Sequence, residues 1–558
     1  MDAAPSRSSR SSQGRQIAGP TDATEGGDAA ITQVPGGGRA TFETSPAAEG
    51  RGRYDWHPEP ELLDLRSPAA RDALRAVGSK TWETALEYLY DEALVRPVGP
   101  DSYRELRTRF FGPERHPASA PEGPTPSADI LAEVRERISP YLFNAYHPRS
   151  FAYFTPPPLV MSIAGEVLSQ WFHQGIDVFH SGPIGALVEE EVTRWLVDVV
   201  GAGPEGWGVL TSGGVMANVM AMTVARDQHL PALLGSASSG PPRGSALDRA
   251  RVYSSDQAHF SIGRALDMLG FPTTTLCVVP SDDRFRLRAE PVVRQIAEDR
   301  AAGLVPFCIA AVAGSTNTGS VDDVPALADV CEQEGLWLHV DAAYGGAARL
   351  SARDADRVRG LELCDSVTID PHKWFFQAYD IGALVVRRRE DLHRTFHRAP
   401  EYYRSAVPET QPLNWLEYSM EGTRRFRALK LWTSWKHLGT VGFARLVEHA
   451  DDVASALAAA VREAPDFEAA VDEPDLSVCC FRHVPDPPEG RELTDEDLDE
   501  HQDLLQRALE MSGRAWVSTT RLRGRTYLRA GAMNWLTTAD DAVGLLDDLR
   551  EVADRSSG

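Results

Sequence analysis

Residues 366–374 read Ser-Val-Thr-Ile-Asp-Pro-His-Lys-Trp, and residues 336–346 read Leu-Trp-Leu-His-Val-Asp-Ala-Ala-Tyr-Gly-Gly. Each stretch begins with a short apolar run, which is typical of a buried strand, and continues into polar or small residues. In a parallel sheet covered by helices, ligands bind at the carboxyl ends of the strands. The two stretches therefore predict that Asp341 and Lys373 lie at that edge of an α/β sheet.

Short apolar runs alternate with helical patterns from about residue 160 to residue 435. The predicted strands are Gly208–Leu210, Val252–Ser254, Thr274–Val279, Phe307–Ala313, Leu336–Val340, Ser366–Ile369 and Ala383–Val386. This alternation predicts an α/β fold with a mostly parallel, seven-stranded sheet that carries helices on both faces. Beyond residue 440, an Ala- and Leu-rich helix, β-like segments at 476–482 and 525–531 and a closing helix predict a small α+β domain.

Before the sheet, the composition changes along the chain. The first 52 residues are rich in Ser, Gly, Ala and Pro, which predicts a disordered tail. Residues 69–95 and 129–143 have helical periodicity with apolar stripes that need a surface to cover, so we expect a homodimer in which residues 54–145 wrap the partner. The predicted organisation is a tail at 1–52, an N-terminal helical dimerisation segment at 53–150, a large domain at 151–435 and a small α+β domain at 436–558.

The overall composition excludes some classes of partner. The chain has 558 residues, 42% of them hydrophobic and 25% charged, and a net charge of −24, which argues against nucleic acid and anionic membranes as partners. The six cysteines lack metal-ligand or disulfide spacing, so we expect reduced thiols, no metal site and a cytoplasmic location. We find neither an apolar run of membrane-spanning length nor a signal peptide.

Lys373 and Asp341 have the chemistry that pyridoxal 5′-phosphate (PLP) needs. A lysine amine forms a Schiff base with the cofactor aldehyde, and a carboxylate keeps a proton on the pyridine nitrogen so that the ring accepts electrons. The small Ala343 leaves room for a flat ring close to the backbone. Taken singly, Lys373 fits a surface lysine and Asp341 fits a helix N-cap, but the two motifs together favour the PLP site.

Two further segments follow predicted strands. Residues 211–218 read Thr-Ser-Gly-Gly-Val-Met-Ala-Asn and open a helix, whose N-terminal N–H groups suit a phosphate, although a plain turn explains the glycines equally well. Residues 256–261 read Asp-Gln-Ala-His-Phe-Ser. His259 in this segment is either a ring that stacks on the cofactor and transfers protons or a hydrogen-bonded core histidine.

Together these motifs resemble the group II PLP-dependent decarboxylases of fold type I, the family of the aromatic-amino-acid, histidine and glutamate decarboxylases, over residues 140–440. The resemblance implies an enzyme that converts an L-α-amino acid into its amine and CO₂. It implies the following roles: Lys373 as the Schiff-base lysine, Asp341 and Ala343 as cofactor contacts, His259 as the stacking and catalytic histidine, Gly214, Val215 and Asn218 as the phosphate cradle, His372 as a phosphate-side contact, Ser315 and Thr316 as hydroxyl groups beside the cofactor, Tyr153 and Phe154 as the substrate pocket, and Tyr402 as the catalytic tyrosine of a loop.

Departures from the family pattern leave alternatives open. Residues 155–158 read Thr-Pro-Pro-Pro where aromatic-type relatives carry Pro-Thr and small residues, and Asp370 stands where asparagine is common. The first change leaves the substrate open: Tyr153 and Phe154 favour an aromatic substrate, and a bulky apolar one fits an apolar pocket equally well. We expect the loop tyrosine to be Tyr402 or Tyr403. The rival predictions are an aminotransferase, a carbon–sulfur lyase, a decarboxylating aldehyde synthase, and a non-catalytic relative that serves as a binding protein.

Overall fold

A computed structural model of the chain describes residues 54–99, 101–113, 120–235, 242–398, 412–487 and 492–556. The chain divides into two units, Met1–Pro60 and Glu61–Gly558. In the first unit the described residues form turns. The predicted tail at 1–52 lies outside the described residues. All elements below belong to the second unit.

Among the described residues, the second unit holds α-helices and strands in the following order. The helices are α1 (Ala70–Glu87), α2 (Tyr103–Phe111), α3 (Ser127–Arg137), α4 (Val160–Phe172), α5 (Pro183–Val200), α6 (Gly214–Gln228), α7 (Leu230–Leu233), α8 (Ser261–Met268), α9 (Ala289–Ala301), α10 (Val324–Glu334), α11 (Arg389–Phe396), α12 (Ala428–Glu463), α13 (Asp495–Ser512) and α14 (Ala539–Ser556). The strands are β1 (Trp207–Thr211), β2 (Ala250–Ser255), β3 (Leu276–Val279), β4 (Val305–Val312), β5 (Trp337–Asp341), β6 (Ser366–Ile369), β7 (Gly382–Val386), β8 (Phe467–Ala469), β9 (Val478–His483), β10 (Ser518–Leu522) and β11 (Arg525–Gly531).

The first seven strands form one sheet in the order β1-β7-β6-β5-β4-β2-β3. Its pairs are parallel except those of β7, which runs antiparallel to β1 and β6. Residues 370–381 connect β6 to β7 without a helix, and a parallel pairing needs a longer crossover. The predicted α/β fold with a mostly parallel, seven-stranded sheet is confirmed. The third predicted strand begins later than expected, because Thr273–Thr275 form a 3-10 turn before it.

The core of the sheet is buried on both faces. Every residue of β4, β5, β6 and β7 is buried, as expected for strands with helices above and below. Next to this core, the carboxylate of Glu189 pairs with the guanidinium of Arg424, and both side chains are almost fully buried. Burial raises the pKa of Glu189, and Arg424 opposes that shift.

The last four strands form an antiparallel sheet in the order β10-β11-β9-β8, which shares an apolar core with α13 and α14. The expected β-like segments correspond to β9 and β11, and the expected small α+β domain is confirmed. The sequence missed β10, because its residues Ser-Thr-Thr-Arg-Leu include a single apolar side chain. Gly439, with φ 64°, interrupts α12 close to the proposed boundary at 435/436, which stays a prediction.

No helix in the described ranges combines the length and the apolar character that crossing a bilayer demands.

Candidate active site

A cavity of about 360 Å³ opens at the carboxyl ends of the parallel strands, where the sequence placed the site. Most of the predicted site residues line it: Phe154, Gly214, Val215, Asn218, His259, Thr316, Asp341, Ala343, His372 and Lys373. Tyr153 lines a neighbouring cavity, and Tyr402 lies outside the described residues. The fold therefore brings together side chains from positions more than 200 residues apart.

Lys373 lies in a tight turn directly after β6. Its backbone N–H donates to the carbonyl of Asp370 over 2.8 Å, and its Nζ lies 3.3 Å from Oδ2 of the same residue. The amine also lies 5.8 Å from the centre of the Phe154 ring. An amine that is partly buried between one carboxylate and an aromatic face is available to react with an aldehyde in the cavity.

Asp341 ends β5, and its carboxylate is fixed by two donors. Oδ1 accepts the N–H of Ala343 over 3.1 Å, and Oδ2 accepts the side-chain amide of Asn218 over 2.7 Å. The residue is 6% exposed. A buried carboxylate that is held by neutral donors remains free to pair with a cation in the cavity.

The amide of Asn218 is satisfied on both sides. Its Nδ2 also donates to Oγ of Ser261 over 2.7 Å. Its Oδ1 lies 3.0 Å from Nε2 of His339 and 2.7 Å from Oγ1 of Thr368. Because a carbonyl oxygen only accepts, Nε2 of His339 carries a proton. The sequence placed Asn218 in the phosphate cradle, whereas the structure directs its amide to Asp341, one helical turn past the N-terminus of α6.

His339 contacts the amide of Asn218, and its pKa is lower than that of an ordinary histidine. Its Nδ1 lies 2.9 Å from Oγ of Ser366, which also accepts the indole N–H of Trp337 over 2.9 Å. The Ser366 hydroxyl therefore donates to Nδ1, and the imidazole is neutral. Complete burial lowers the pKa of His339 to about 4.

His259 belongs to the same network through Ser261. Its Nδ1 lies 2.7 Å from Oγ of Ser261 and accepts the backbone N–H of Ser261 over 3.4 Å, so Nδ1 is unprotonated and the serine hydroxyl donates to it. Burial lowers the pKa of His259, with Asp341 opposing and Lys373 reinforcing the shift. A neutral imidazole with a protonated Nε2 therefore faces the cavity at neutral pH.

The N-terminus of α6 forms the other end of the cavity. The first intrahelical bond runs from the N–H of Ala217 to the carbonyl of Gly213, so the N–H groups of residues 214–216 have no partner within the helix. A Cβ at Gly214 would lie 2.8 Å from Oδ2 of Asp370, and Gly213 has φ 152°, so both positions require glycine. His372 borders this loop, with its Cε1 3.2 Å from the place of a Cβ on Gly213, and burial lowers its pKa.

Aromatic rings form the wall beside Lys373. Phe154 lies against Tyr344 with ring centres 4.8 Å apart, and Tyr344 lies 4.7 Å from Trp374. The hydroxyl of Tyr344 lies 2.7 Å from Oγ of Ser477, which fixes the ring. The sequence missed Tyr344 as a cavity residue, although it follows Asp341 by three positions.

A second cavity, of about 430 Å³, adjoins the first, and Phe154 and Thr316 line both. Tyr153 lies in the second cavity with its ring 5.0 Å from that of Trp516. Ser315, which the sequence paired with Thr316, is buried outside both cavities and bonds to Thr318 and Ser320. One residue of the predicted pair therefore faces the site, because the chain turns between them.

Arg529 of β11 reaches this second cavity and was not predicted. It is 5% exposed, and its guanidinium lies 4.6 Å from the centre of the Phe154 ring. Nε donates to the carbonyl of Thr316 and Nη1 to that of Ala152, each over 2.8 Å. Nη2 is buried without a hydrogen-bond partner among the described residues. No local signal marks this arginine, because the small sheet and the loop after β4 meet only in the folded chain.

The shape and the donor groups of the first cavity fit PLP. The cofactor needs an amine for its aldehyde, a carboxylate for its ring nitrogen and N–H donors for its phosphate. Lys373, Asp341 and the N-terminus of α6 supply these groups around one cavity, and the glycines leave the space that a Cβ would fill.

Comparison with known proteins agrees with this fit. The model of the pyridoxal-dependent decarboxylase conserved domain matches residues 113–484. The aromatic-L-amino-acid decarboxylase of Bacillus atrophaeus is 32% identical over 441 residues, which are 79% of this chain and 88% of that protein. The acidic amino acid decarboxylase GADL1 of Mus musculus is 30% identical and covers 66% of this chain and 65% of its own length. A crystal structure of Oryza sativa TDC with PLP and tryptamine matches with a TM-score of 0.79 and 25% identity, covering 88% of this chain and all of that one.

The chain therefore belongs to the pyridoxal-dependent decarboxylase family. It is a PLP-dependent amino acid decarboxylase, and the resemblance seen in the sequence, the cofactor and the reaction class are confirmed. The relatives act on aromatic and on acidic amino acids, so family membership leaves the side chain of the substrate open.

Proposed function

We propose that the enzyme decarboxylates an L-α-amino acid with an aromatic or bulky apolar side chain and releases the amine. The observation that carries this proposal is the aromatic wall beside the reactive lysine. Phe154 lies 5.8 Å from Nζ of Lys373 and is backed by Tyr344. An apolar side chain that enters this wall buries its surface against the rings, which favours it over a polar one.

The residues around the cofactor have distinct roles in this proposal. Lys373 would hold the cofactor aldehyde, and Asp341 would keep a proton on the ring nitrogen. When bound, PLP supplies a ring that accepts the electron pair left by the departing CO₂. Ala343 leaves space for a flat ring, and His259 would offer a neutral imidazole to it. The N–H groups at Gly214 and Val215 would bind the phosphate, with His372 beside them, and Thr316 lines both cavities next to the place of the substrate.

Proton delivery to the substrate is assigned to Tyr402. A phenol is a plausible donor to Cα after CO₂ leaves, and the segment between Pro400 and Pro408 precedes the Arg-rich residues 424–427, as in the family. Slow proton delivery would let the reaction be diverted to an aldehyde. The tyrosine therefore favours the amine over the aldehyde as the product, with Tyr403 as the alternative donor.

A second candidate substrate is an acidic amino acid, and Arg529 favours it. Nη2 of the buried Arg529 guanidinium has no hydrogen-bond partner among the described residues. A carboxylate on the substrate side chain would give it a strong, charge-assisted hydrogen bond. The similarity to an acidic amino acid decarboxylase supports the same reading. Against it, the stacking on Phe154 and the two backbone carbonyls already give the guanidinium partners.

The test is a substrate panel with the PLP-loaded enzyme. Phenylalanine, tyrosine, tryptophan, leucine, valine, aspartate, glutamate and cysteine sulfinate would each be incubated, and CO₂ and amine would be measured together. We expect equal amounts of CO₂ and amine with an aromatic or bulky apolar substrate. Activity confined to the acidic substrates would transfer the proposal to the second candidate, and aldehyde with hydrogen peroxide would identify an aldehyde synthase.

We also propose a homodimer. Large apolar side chains are exposed on the helices before and beside the sheet, including Trp82 at 54%, Trp171 at 65% and Ile184 at 66%. Such exposure is typical of a surface that another subunit covers. Light scattering should give about twice the 61.0 kDa of one chain, and a stable, active monomer would contradict the proposal.

The proposed domain boundaries and the cytoplasmic location complete this assignment. The helical segment at 53–150 would serve dimerisation, ahead of the large domain at 151–435 and the small domain at 436–558. All six cysteines are free thiols, which suits a reducing compartment. Limited proteolysis tests the boundaries, and cell fractionation with immunodetection tests the location.

A further inference from the structure

A second cluster of ligating side chains lies away from the PLP cavity, where α11 meets the 3-10 helix Trp415–Tyr418. His393 lies in α11, His397 directly follows it, and Glu417 faces both. Nε2 of His393 lies 3.5 Å and Nδ1 of His397 3.6 Å from Oε2 of Glu417, and one donor atom of each residue lies within 4.8 Å of the others. We propose that these three side chains bind a divalent transition-metal ion, with Zn²⁺ as the best fit.

The spacing of the donor atoms suits tetrahedral zinc. Histidines four positions apart on a helix lie on one face, and such pairs bind zinc in known sites. Zinc bonds of about 2.0–2.2 Å to nitrogen and oxygen place tetrahedral ligands roughly 3.4 Å from each other. The two separations from Glu417 exceed that value slightly, and since all three donor atoms lie within 4.8 Å of one another, side-chain rotations would bring them to the zinc spacing. Three protein ligands leave a fourth position for water.

An unsatisfied nitrogen points to the same conclusion. Nδ1 of His397 is shielded from solvent, although its side chain is 41% exposed, and it has no hydrogen-bond partner within the described ranges. At 3.6 Å, Oε2 of Glu417 is too far away for a hydrogen bond. A buried polar atom without a partner destabilises the fold, and a metal ion would satisfy it.

The carboxylate is oriented by a neighbouring side chain. The amide of Asn414 donates to Oε1 of Glu417 over 3.1 Å, while its own oxygen accepts the N–H of Phe179 over 3.1 Å. Oε1 is thus engaged and Oε2 is turned to the histidines. Outer contacts of this kind hold metal ligands in place in many proteins.

The nearby arginines pair elsewhere. Arg389 donates to the hydroxyl of Tyr418, and Arg394 donates to Glu390. An ordinary ion pair between Glu417 and protonated histidines is the competing explanation. The imidazole centres are 4.5 Å apart, so two protonated rings would repel each other, whereas one metal ion uses both rings in the neutral form.

The experiment uses the full-length, PLP-loaded, substrate-free enzyme after treatment with a chelator. Zn²⁺ would be titrated by calorimetry, and Co²⁺ would be added as a spectroscopic probe. We expect one Zn²⁺ per chain, a visible absorption band of tetrahedral Co²⁺, and a higher melting temperature in Zn²⁺ because the ion binds the folded state. His393→Gln and Glu417→Gln should each weaken Zn²⁺ binding at least ten-fold and remove the thermal shift, with decarboxylase activity unchanged.

His501→Gln is the matched control, because His483 and His501 also form a histidine pair, with Nδ1 of His483 2.8 Å from Nε2 of His501. It should bind Zn²⁺ like the wild type. The proposal is overturned if the wild type shows no saturable Zn²⁺ binding and no tetrahedral Co²⁺ band, or if both Gln variants bind as tightly as the wild type. A wild type without a tetrahedral Co²⁺ band overturns the proposal even if a variant fails to fold.

Discussion

The side-chain amide of Asn218 donates a 2.7 Å hydrogen bond to Oδ2 of Asp341. The same nitrogen reaches Ser261, and that serine bonds to His259. The amide of Asn218 therefore orients the carboxylate of Asp341, which we propose for the cofactor nitrogen. Through Ser261 it also orients the imidazole of His259, which we propose for the face of the cofactor ring. Because both proposed cofactor contacts depend on this amide, its removal should affect cofactor binding as well as catalysis.

Replacing Asn218 with leucine tests this dependence. The substitution keeps the volume but removes one of the hydrogen-bond partners of Asp341, His339 and Ser261, at a cost of about 1–3 kcal/mol for each group left unsatisfied. We expect weaker PLP binding in an absorbance titration and a lower kcat. Thr368→Val is the control, since it removes one bond to Asn218 and leaves the bond to Asp341 intact. Equal PLP affinity in Asn218→Leu and the wild type would contradict the positioning role.

Lys373→Ala should abolish covalent attachment of PLP while the protein stays folded. The chain has only four lysines, which are Lys80, Lys373, Lys430 and Lys436. Borohydride reduction followed by peptide mass mapping therefore gives an unambiguous answer. We expect the pyridoxyl label on Lys373 alone, and Lys436→Gln should be labelled like the wild type. A label on another lysine would refute the assignment.

Tyr402→Phe should shift the product from amine to aldehyde. Phenylalanine keeps the ring but has no proton to give, so Cα is protonated more slowly and oxygen or water can divert the reaction. The assay measures amine, aldehyde and hydrogen peroxide for this variant and for Tyr403→Phe. If Tyr402→Phe keeps the wild-type rate and amine yield, the proton donor is Tyr403 or lies outside this loop.

Arg529→Lys distinguishes the two candidate substrates. Lysine keeps the charge but cannot reproduce the planar contacts with Phe154, Thr316 and Ala152. For an aromatic substrate we expect a rise of a few-fold in KM. For an acidic substrate, loss of the charge-assisted contact between Nη2 and the carboxylate should lower kcat/KM roughly 10- to 100-fold, or about 1.4–2.7 kcal/mol. A similar loss for both classes would mean that Arg529 supports the wall without recognising the substrate.

Acid should destabilise the protein through His339. Its pKa is about 4 in the folded state, below the ordinary value of about 6.5 that we expect when it is unfolded. Between these values the unfolded chain binds the extra proton, so this contribution to stability is complete above about pH 6.5 and is lost as the pH falls toward 4. Urea unfolding at pH 7 and pH 5 measures the effect.

The variant His339→Gln isolates this contribution, because glutamine donates to Asn218 but does not titrate. Its stability should change less between pH 7 and pH 5 than that of the wild type. His483, whose pKa burial also lowers to about 4, is unchanged in this variant and contributes to the pH dependence that remains. An identical pH dependence in both proteins would exclude His339 as the cause.

The sequence predicted those parts of the fold and of the site that depend on neighbouring residues, and it missed those that depend on contacts between distant ones. Asp341 and Lys373 each follow an apolar strand within a few residues, so local pattern and sheet geometry were enough to bring them together. The sequence did not predict that β7 runs antiparallel to β1 and β6, because a strand that is buried on both faces is apolar in either direction. Arg529 was missed because its contacts, Ala152 and Thr316, are more than 200 positions away. The bond from Asn218 to Asp341 was not predicted, because a helical turn moves a side chain away from the loop that precedes it.

Arg529 also bears on how such enzymes diversify. It projects from the small sheet onto Phe154, while Asp341 ends β5 and Lys373 follows β6 of the large sheet. Under the acidic-substrate proposal, recognition of the substrate side chain by Arg529 and the chemistry at Cα would lie on separate parts of the polypeptide. Substitutions in β11 would then change the choice of substrate while Lys373 and Asp341 stay the same.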